Sequence, residues 1–292
     1  MSKLDFAVIV LNWNSYEETI SCIRSIKEKA DIPFQMIVID NNSSDNSEDI
    51  LKKYILTYLP SAIYIQSGEN IGYCGGNNLG LEKVIELGFE YVLVINNDVV
   101  FEGGKVLSKL KQKLSEPLVK IVSPNVNGEI VCSGYFYKLL DRFLSLNING
   151  VANEVSYVCG CAIAFKVDFL KGFGIFPAEY FMYVEEIDIC YRARVNGFKV
   201  VQLVDYDTLV IRKNDEIDKT SNRQYVWFYQ TRNMLLFLSK CDLAFFQHVL
   251  MCFLFMLISI VRPLKQKCMK NYKPIVLGFI HFLKRRIGKS YR

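Results

Sequence analysis

The chain has 292 residues, of which 51% are apolar and 22% charged, and its formal net charge is +5. This apolar content is ample for a core and high for a purely soluble protein. The nine cysteines are odd in number and show no C-x-x-C spacing, which argues against a zinc site or a disulfide framework. We therefore expect free thiols in a reducing compartment. The short N-terminal apolar run, which carries Asp5, does not resemble a signal peptide, so we expect the body of the chain in the cytosol.

The N-terminal half alternates strands and helices. Helices are predicted after Ser15, through Ile50–Ile55 and over Asn77–Leu87. This alternation predicts right-handed crossovers and an α/β sheet with parallel strands. The predicted strands are Phe6–Leu11, Met36–Ile39, Ala62–Ile65 and Tyr91–Ile95.

The second half is less regular. Helices are predicted over Glu185–Asn196, ended by Gly197, and over Gln224–Leu238. The strands predicted here are Ile121–Ser123, Val158–Ala164 and Lys199–Leu203.

The positive charge is concentrated at the C-terminus. Residues 262–292 contain ten Lys and Arg and no acidic residue, which leaves 25 basic against 30 acidic residues before them. A basic tail alone is typical of a solvated, disordered end. Because this one lies beside apolar runs, we interpret it as a segment that binds a membrane surface, and we expect no nucleic-acid partner.

The segment Leu243–Val261 has 19 residues without formal charge, which is long enough to span a bilayer. A single span would place its basic C-terminal flank and the cytosolic body on opposite sides, against the positive-inside rule. We therefore favour a helical tail, residues 241–292, that lies on the membrane surface beside a body of residues 1–240. A buried core helix is the alternative.

Three polar clusters each follow a predicted strand: Asp40–Asp45, Asn70–Asn78 and Asn96–Asp98. Ligands of open α/β sheets bind outside the carboxyl ends of the strands, so these clusters predict one site. Their chemistry suits a sugar nucleotide. The second cluster is glycine-rich, which lets backbone approach a ligand, but it lacks the G-x-G-x-x-G spacing of nicotinamide dinucleotide sites.

Two of these clusters carry a carboxylate with a possible ligand role. Asp40 could accept hydrogen bonds from a base imide or a ribose hydroxyl, or could serve turn chemistry alone. Asp98, together with a diphosphate, would suffice to hold Mg²⁺ or Mn²⁺, although a polar end of a strand is the structural alternative.

A fourth cluster is acidic and comprises Glu185, Glu186 and Asp188. On a helix Glu185 and Asp188 share a face, whereas Glu186 points elsewhere. Crowding of carboxylates raises pKa values toward the range of a general base. An acidic first turn that complements the helix dipole is the alternative interpretation.

Taken together, the motifs resemble the family 2 inverting glycosyltransferases, most closely the branch of rhamnosyltransferase-like enzymes, over about residues 5–240. They read VIVLNWNS, VIDNNSSD, NIGYCGGNNLGL, VLVINND, GCAIAFKV, FMYVEEIDICYRARVNGFKVV and Arg232-Asn233. The resemblance implies a GT-A fold, in which a Rossmann-like nucleotide-binding half shares a mixed central sheet. It also implies a nucleoside-diphosphate sugar donor and a divalent cation, Mn²⁺ or Mg²⁺.

The resemblance also implies roles for residues. Glu186 matches the catalytic base and Asp98 the metal-side residue. The donor would contact Asn12 and Asp40 through its nucleoside and Asn70, Gly72 and Asn77 through the closing loop, with Gly160 in the pocket between donor and acceptor. Asn14, Asn42 and Asn97 are predicted members of the same donor site.

Two departures from the family leave alternatives open. Asp205–Asn214 contains no His to help hold the metal, so Asp205 or Asp207 could complete the site. Glu at position 186, where relatives have Asp, leaves the base open among Glu186, Glu185 and Asp188. The Q-x-x-R-W motif of processive synthases is absent from the sequence, which predicts addition of a single sugar.

The sequence therefore predicts a glycosyltransferase at the cytoplasmic face of the cell membrane. Its acceptor would be lipid-linked, on a polyprenyl diphosphate, or a cell-surface polysaccharide. The alternative is a catalytically inactive relative that binds sugar nucleotides and acts as a membrane scaffold. A nucleotidyltransferase would need a basic, glycine-rich phosphate loop after the first strand, which Asn12–Ser15 does not supply.

Overall fold

The computed structural model describes residues 4–129, 135–144, 146, 153–213, 224–265 and 272–291. Its strands are β1 (Phe6–Asn12), β2 (Gln35–Asp40), β3 (Ile63–Gln66), β4 (Tyr91–Asn96), β5 (Val99–Phe101), β6 (Val119–Ser123), β7 (Asn125–Val126), β8 (Ala162–Lys166), β9 (Lys199–Gln202) and β10 (Leu209–Arg212). Its helices are α1 (Tyr16–Lys29), α2 (Ser47–Tyr58), α3 (Gly72–Leu87), α4 (Val106–Leu114), α5 (Tyr135–Phe143), α6 (Val167–Phe173), α7 (Glu185–Val195), α8 (Gln224–Leu238), α9 (Phe245–Lys265) and α10 (Tyr272–Leu283).

The central sheet has seven strands in the order β3-β2-β1-β4-β8-β6-β9. The first four run parallel, β8 is antiparallel to both of its neighbours, and β9 is parallel to β6. The predicted α/β architecture with a mixed central sheet is therefore confirmed. The register places Asn12 opposite Asp40 and Leu11 opposite Asn96, so the polar ends of β1, β2 and β4 meet.

Both faces of this sheet are covered, which is why its strands read as continuous apolar runs. Even-numbered residues of β1 pack against α1 and α4, and odd-numbered residues pack against α3, α6 and α7. Representative buried residues are Val8, Val10, Ile23 and Leu110 on the first face and Ile9, Leu81, Phe169 and Ile189 on the second.

Helix α3 begins at Gly72, five residues before its predicted start at Asn77. The predicted glycine-rich loop is therefore largely the first turns of a helix that lies close to the sheet. A Cβ atom on Gly76 would come within 2.6 Å of Leu11 Cδ1, and one on Gly80 within 2.9 Å of Ile9 Cγ2. These two glycines serve helix–sheet packing, a role that the sequence pattern does not separate from ligand approach.

Other elements also differ from the sequence prediction. Strand β8 begins at Ala162, four residues after the predicted start at Val158. A second sheet, in the order β5-β10-β7, was not predicted because its strands have two to four residues, too few to show an alternating pattern.

The C-terminal helices pack on α8 rather than projecting from the body. Gly278 of α10 faces α8 so closely that a Cβ atom there would lie 2.6 Å from the carbonyl oxygen of Phe228. The outer surfaces of α9 and α10 nevertheless expose apolar side chains, among them Phe245 at 86% and Phe246 at 75% exposure. Among the described helices, none combines the length and the apolar character needed to cross a membrane.

We expect Gly278→Ala to destabilise the chain because a methyl group at this contact must push α10 away from α8. Overpacking of this kind costs about 1–3 kcal/mol of unfolding free energy, which urea denaturation measures. The matched control is Gly172→Ala on α6, where no atom lies within 4 Å of the added Cβ. The higher helix propensity of alanine should leave the control stability unchanged or raised by about 1 kcal/mol or less. Equal effects of the two substitutions would refute the close contact between α8 and α10.

Candidate active site

A cavity of about 390 Å³ opens at the carboxyl ends of β1, β2 and β4. It lies where the sequence predicts a ligand site. Five predicted site residues line it, and these are Asn14, Asn70, Gly72, Asn97 and Asp98. Its other lining residues are Leu11, Trp13, Ser15, Asn41, Tyr73, Asn96 and Met182. We call it the polar cavity.

Asn12 and Asp40 are fully buried behind the polar cavity and do not line it. Asn12 Nδ2 donates to Asp40 Oδ1 at 2.7 Å, and Asp40 Oδ2 accepts from Gln66 Nε2 at 3.0 Å and from the Ser43 amide at 3.1 Å. The Ser43 hydroxyl also donates to Asp40 Oδ1 and accepts from the Asn14 amide. The Asp40 carboxylate therefore has four protein donors, and it holds the loop after β2 against the cavity wall.

The opposite wall of the polar cavity is the start of α3. Asn41, which was not predicted, accepts from the Ile71 amide at 3.2 Å and donates to the Gly72 carbonyl at 3.1 Å. Asn70 Oδ1 accepts from the Gly72 amide at 3.0 Å. Gly72 has φ +78°, and a Cβ there would lie 2.4 Å from the Phe181 carbonyl oxygen, so only glycine fits.

Two predicted donor-site residues lie away from the polar cavity. Asn77 is fully buried within α3, where its Nδ2 donates to the Tyr73 carbonyl at 3.0 Å. Asn42 follows Asn41 in a left-handed conformation, with φ +57°, and its amide donates to Gln66 Oε1. Neither residue is among those that line the polar cavity.

The carboxylate of Asp98 is the group in the polar cavity that could bind a metal ion. Its Oδ2 accepts from Arg212 Nε at 3.1 Å, whereas its Oδ1 is buried without a hydrogen-bond partner. A buried carboxylate oxygen without a partner is costly unless an ion or a ligand contacts it. One such oxygen fits a Mg²⁺ or Mn²⁺ ion whose other ligands are phosphate and water.

The predicted completion of this metal site by Asp205 or Asp207 is not what the structure shows. Lys109 Nζ lies 3.1 Å from Asp205 Oδ2, and Lys105 Nζ lies 3.5 Å from Asp207 Oδ2, both on the surface beside α4. Neither aspartate lines the polar cavity. Within the described ranges, no group of three or more His, Cys, Asp or Glu residues could hold a metal ion.

The three candidate bases occupy different environments. Asp188 accepts from the Tyr180 hydroxyl and from Arg192 Nε, both at 2.7 Å, so both of its oxygens are engaged. Glu185 is buried, and its Oε2 lies 3.7 Å from Cys74 Sγ. Glu186 is half-buried and, alone of the three, lines a cavity.

That second cavity, of about 300 Å³, is mainly aromatic and apolar, and we call it the aromatic cavity. It is lined by Phe136, Tyr137, Tyr157, Tyr183, Val184, Glu186, Ile187, Gln230, Met234, Phe255 and Ile258. Two of these residues come from α9, so the predicted tail forms part of its wall.

Gly160 lies between the two cavities. Tyr73, which lines the polar cavity, donates its hydroxyl to the Gly160 carbonyl at 2.7 Å. A Cβ on Gly160 would lie 3.7 Å from the side chain of Glu186. Gly160 thus adjoins one lining residue of each cavity, Tyr73 and Glu186.

The segment before α7 is strained and is held by the Arg232-Asn233 pair. Phe181, Tyr183 and Val184 have φ values of 66°, 67° and 78°, in the left-handed region. Such residues persist only where surrounding contacts fix them. Asn233 Nδ2 donates to the carbonyls of residues 180, 182 and 183 at 2.7–3.0 Å, and Arg232 Nη2 donates to that of residue 180 at 2.8 Å. The pair therefore positions Glu186.

Burial sets the protonation of the acidic pair. It raises the pKa of Glu186 to about 7, because its charged form loses hydration among aromatic side chains. Burial, followed by the charge of Glu186, raises the pKa of Glu185 well above its usual range. Both carboxyls therefore bind a proton more tightly than usual, and Glu186 can exchange a proton near pH 7.

Several residues that form the site were not predicted. Trp13 is 52% exposed at the rim of the polar cavity, in a position where its ring can stack on a ligand. Trp13 lies inside the motif VIVLNWNS, between the predicted site residues Asn12 and Asn14, and this position was the signal that could have identified it. Tyr73 lies inside the predicted cluster Asn70–Asn78 and Met182 inside the motif that begins FMYVEE, but neither was named as a site residue. Arg212 had no signal of its own, since it approaches the site only through the folded chain.

Comparisons with known proteins identify the family of the chain and relatives that share its fold. The family described as "Glycosyl transferase family 2" matches residues 7–174, which is more than half of the chain. The chain is 26% identical, over 99% of its length and 94% of the relative's, to "Low-salt glycan biosynthesis hexosyltransferase Agl10" of Haloferax volcanii.

Two solved structures share the fold. The mannosyltransferase PcManGT from Pyrobaculum calidifontis, in complex with GDP-Man and Mn²⁺, has a TM-score of 0.63 and 13% identity over 98% of this chain and 89% of that one. TarS 1-349 of S. aureus, in complex with UDP-GlcNAc, has a TM-score of 0.61 and 17% identity, and the match covers 96% of this chain and 81% of that one. These likenesses show a GT-A fold.

Glu186→Gln should flatten the pH dependence of stability. The wild-type carboxyl binds a proton more tightly folded, with a pKa of about 7, than unfolded. The unfolding free energy therefore falls as pH rises from about 4.5 to 7, and the variant should lose about 1–3 kcal/mol less over this window. Denaturation from pH 4.5 to 8 measures this, with Glu82→Gln on the exposed side of α3 as control. Parallel curves for wild type and Glu186→Gln would contradict the burial of this carboxyl.

Proposed function

The chain belongs to glycosyl transferase family 2, and we propose that it transfers a single hexose or deoxyhexose from a nucleoside-diphosphate sugar to an acceptor hydroxyl, with inversion. One observation carries the proposal: Gly160 is hydrogen-bonded to Tyr73, which lines the polar cavity together with Asp98, and lies beside Glu186, which lines the aromatic cavity. This is the arrangement that a donor and an acceptor need in order to meet at one carboxylate.

The polar cavity is the proposed donor site. Trp13 offers a ring for stacking, and Asn14, Asn70 and Asn97 offer amides along its walls. The likeness to proteins solved with GDP-Man and UDP-GlcNAc supports a sugar nucleotide. The full-length relative is named a hexosyltransferase, which supports a hexosyl donor, and the rhamnosyltransferase-like motifs add deoxyhexoses to the donors to be tested.

Asp98 Oδ1 would hold a divalent cation, Mn²⁺ or Mg²⁺, together with the donor phosphates and water. The cation would supply positive charge to the departing diphosphate. Arg212, whose Nε lies 3.1 Å from Asp98 Oδ2, adds a fixed positive charge at the same wall. It orients the Asp98 carboxylate so that the other oxygen is left for the ion.

Glu186 is the proposed general base. Its carboxylate takes the proton of the acceptor hydroxyl while that oxygen forms a bond to the anomeric carbon and the bond from this carbon to the diphosphate breaks. A single displacement from the opposite side inverts the anomeric configuration. The pKa of about 7 suits this role, because a base works best near the operating pH. Arg232 and Asn233 act as positioning residues through the strained segment before α7.

The aromatic cavity is the proposed acceptor site. Tyrosine and phenylalanine rings stack on sugars, and Phe255 and Ile258 continue the lining onto α9. A lipid-linked glycan on a polyprenyl diphosphate fits this combination, because its sugar end meets Glu186 while its lipid follows α9. A cell-surface polysaccharide is the alternative acceptor.

The exposed apolar side chains of α9 and α10 support association with a membrane surface. On α9 they recur at Phe245, Val249, Phe253 and Leu257, a spacing of four that places them on one side of the helix. We propose that residues 241–292 hold the body, residues 1–240, at the cytoplasmic face of the cell membrane.

Glu186→Gln should abolish transfer without weakening donor binding. Loss of a general base costs about 10²–10⁴-fold in kcat, whereas the donor binds in the other cavity. A panel of nucleotide sugars, with and without Mn²⁺ or Mg²⁺, measures turnover and donor affinity.

The control is Glu185→Gln. Because Glu185 lines neither cavity, this variant should retain turnover within about tenfold of the wild type. Full turnover in Glu186→Gln would refute the assignment of the base. Donor binding without turnover in the wild type, given a range of acceptors, would favour the inactive sugar-nucleotide-binding scaffold.

Phe245→Ser with Phe246→Ser should weaken binding to vesicles by at least about tenfold, because each buried Phe contributes about 1.5–3 kcal/mol. Co-sedimentation with vesicles of phosphatidylglycerol and phosphatidylcholine measures this binding. The control pair, Leu56→Ser with Tyr58→Ser, removes exposed apolar side chains from α2, remote from the tail. Equal losses in both pairs, or no loss in the α9 pair, would refute membrane association through α9.

A further inference from the structure

A third cavity, of about 590 Å³, lies on the C-terminal helices and is not used by the proposed reaction. We call it the C-terminal cavity. Its polar lining is basic: Arg232, Arg285, Arg286 and His281 face it, and no Asp or Glu is among its described lining residues. Its remaining surface is mostly apolar and includes Phe282, Leu283 and Ile287.

The three arginines of this cavity differ in their freedom to bind. Arg232 already donates to the carbonyls of Gly288 and Tyr180 and to the Ser290 hydroxyl, so it contributes charge rather than free donors. Arg285 and Arg286 are exposed, and their guanidinium groups have no hydrogen bond or ion pair with any residue in the described ranges. Guanidinium groups that converge without a counter-ion favour a bound anion.

His281 gives a second, independent observation. It is 8% exposed, and its Nδ1 is buried without a hydrogen-bond partner. Burial, and then the charges of Arg286, Arg232 and Lys284, lower its pKa, which keeps the ring neutral. In the tautomer with the proton on Nδ1, this nitrogen is a buried donor without an acceptor beside a basic cavity, which is a cost that an anionic ligand would relieve.

The apolar side of the cavity identifies the kind of anion. Val276, Ile280 and Leu283 are exposed and recur every three or four residues as an apolar stripe along α10 that reaches the rim of the cavity. Ile287, beyond the end of α10, is also more than half exposed and extends the apolar lining of the cavity. A free ion would use only the basic end. We propose that the C-terminal cavity binds the phosphate group of a lipid, with the guanidinium groups of Arg285 and Arg286 on the phosphate and the lipid chain along the stripe.

The proposal does not rest on the transferase reaction, and its test needs no sugar donor. The full chain is titrated with dodecyl phosphate, inorganic phosphate and dodecyl maltoside below their micelle concentrations, and the His281 imidazole is followed by NMR, with His248, the other histidine, as internal reference. We expect dodecyl phosphate to shift the His281 signal and to bind at least about tenfold more tightly than either other probe, since each lacks half of the recognised chemistry.

Equal binding of inorganic phosphate would overturn the lipid as occupant and identify a free phosphate site. Equal binding of dodecyl maltoside would overturn the role of charge, and no shift of His281 with dodecyl phosphate would overturn the site itself.

Charge-matched variants locate the binding. Arg285→Gln with Arg286→Gln should weaken binding of dodecyl phosphate by roughly tenfold or more, because two charged hydrogen-bond donors are lost. The control, Lys284→Gln with Lys289→Gln, removes the same charge from neighbouring residues that do not line the cavity and should weaken it less than about threefold. If both double variants lost the same affinity for dodecyl phosphate, the binding would reflect only the general positive charge of this region, and the proposed site would be overturned. Circular dichroism confirms that both variants keep the fold.

Discussion

The arrangement of the site depends on one set of buried hydrogen bonds, between the Arg232-Asn233 pair and the carbonyls of residues 179, 180, 182 and 183. Left-handed backbone at Phe181, Tyr183 and Val184 costs about 1–3 kcal/mol for each residue unless its surroundings fix it. The paired carbonyls offset that cost. The same backbone turn then delivers Glu185 into the core and Glu186 to the aromatic cavity, so the difference between the two neighbouring carboxylates originates here.

This set of bonds also links parts of the chain that are distant in sequence. Phe181 approaches Gly72 closely enough to require glycine at the start of α3, which forms one wall of the polar cavity. On its other side Arg232 bonds the carbonyl of Gly288, beyond α10. The donor wall, the base and the C-terminal helices therefore share one support. Arg232 is 1% exposed, and its guanidinium is hydrogen-bonded to several carbonyls. Because an unpaired buried charge is costly, this side chain resists any rearrangement that would break those bonds.

The sequence predicts the sheet well where physical signals are local. Strands β1, β2 and β4 are continuous apolar runs that end in polar residues, and the parallel register brings those ends together. The start of α3 was wrong because glycines normally favour loops, whereas here close packing against Leu11 and Ile9 decides the structure. The ligand role predicted for Asp40 could not be separated from scaffolding, since the donors that surround its carboxylate come from three different loops and strands. The aromatic cavity had no local signal at all, because its walls come from residues between Phe136 and Ile258.

The properties of Glu186 and of the aromatic cavity have the same origin. The rings that make the cavity suitable for a sugar also remove water from the carboxylate, and this loss of hydration raises its pKa to about 7. A glutamate reaches one methylene further than an aspartate, which suits a base that must cross from α7 into a cavity walled by tyrosines. In the proposed reaction, the strength of Glu186 as a base and the recognition of the acceptor would both depend on this wall, and a change in its rings would alter both together.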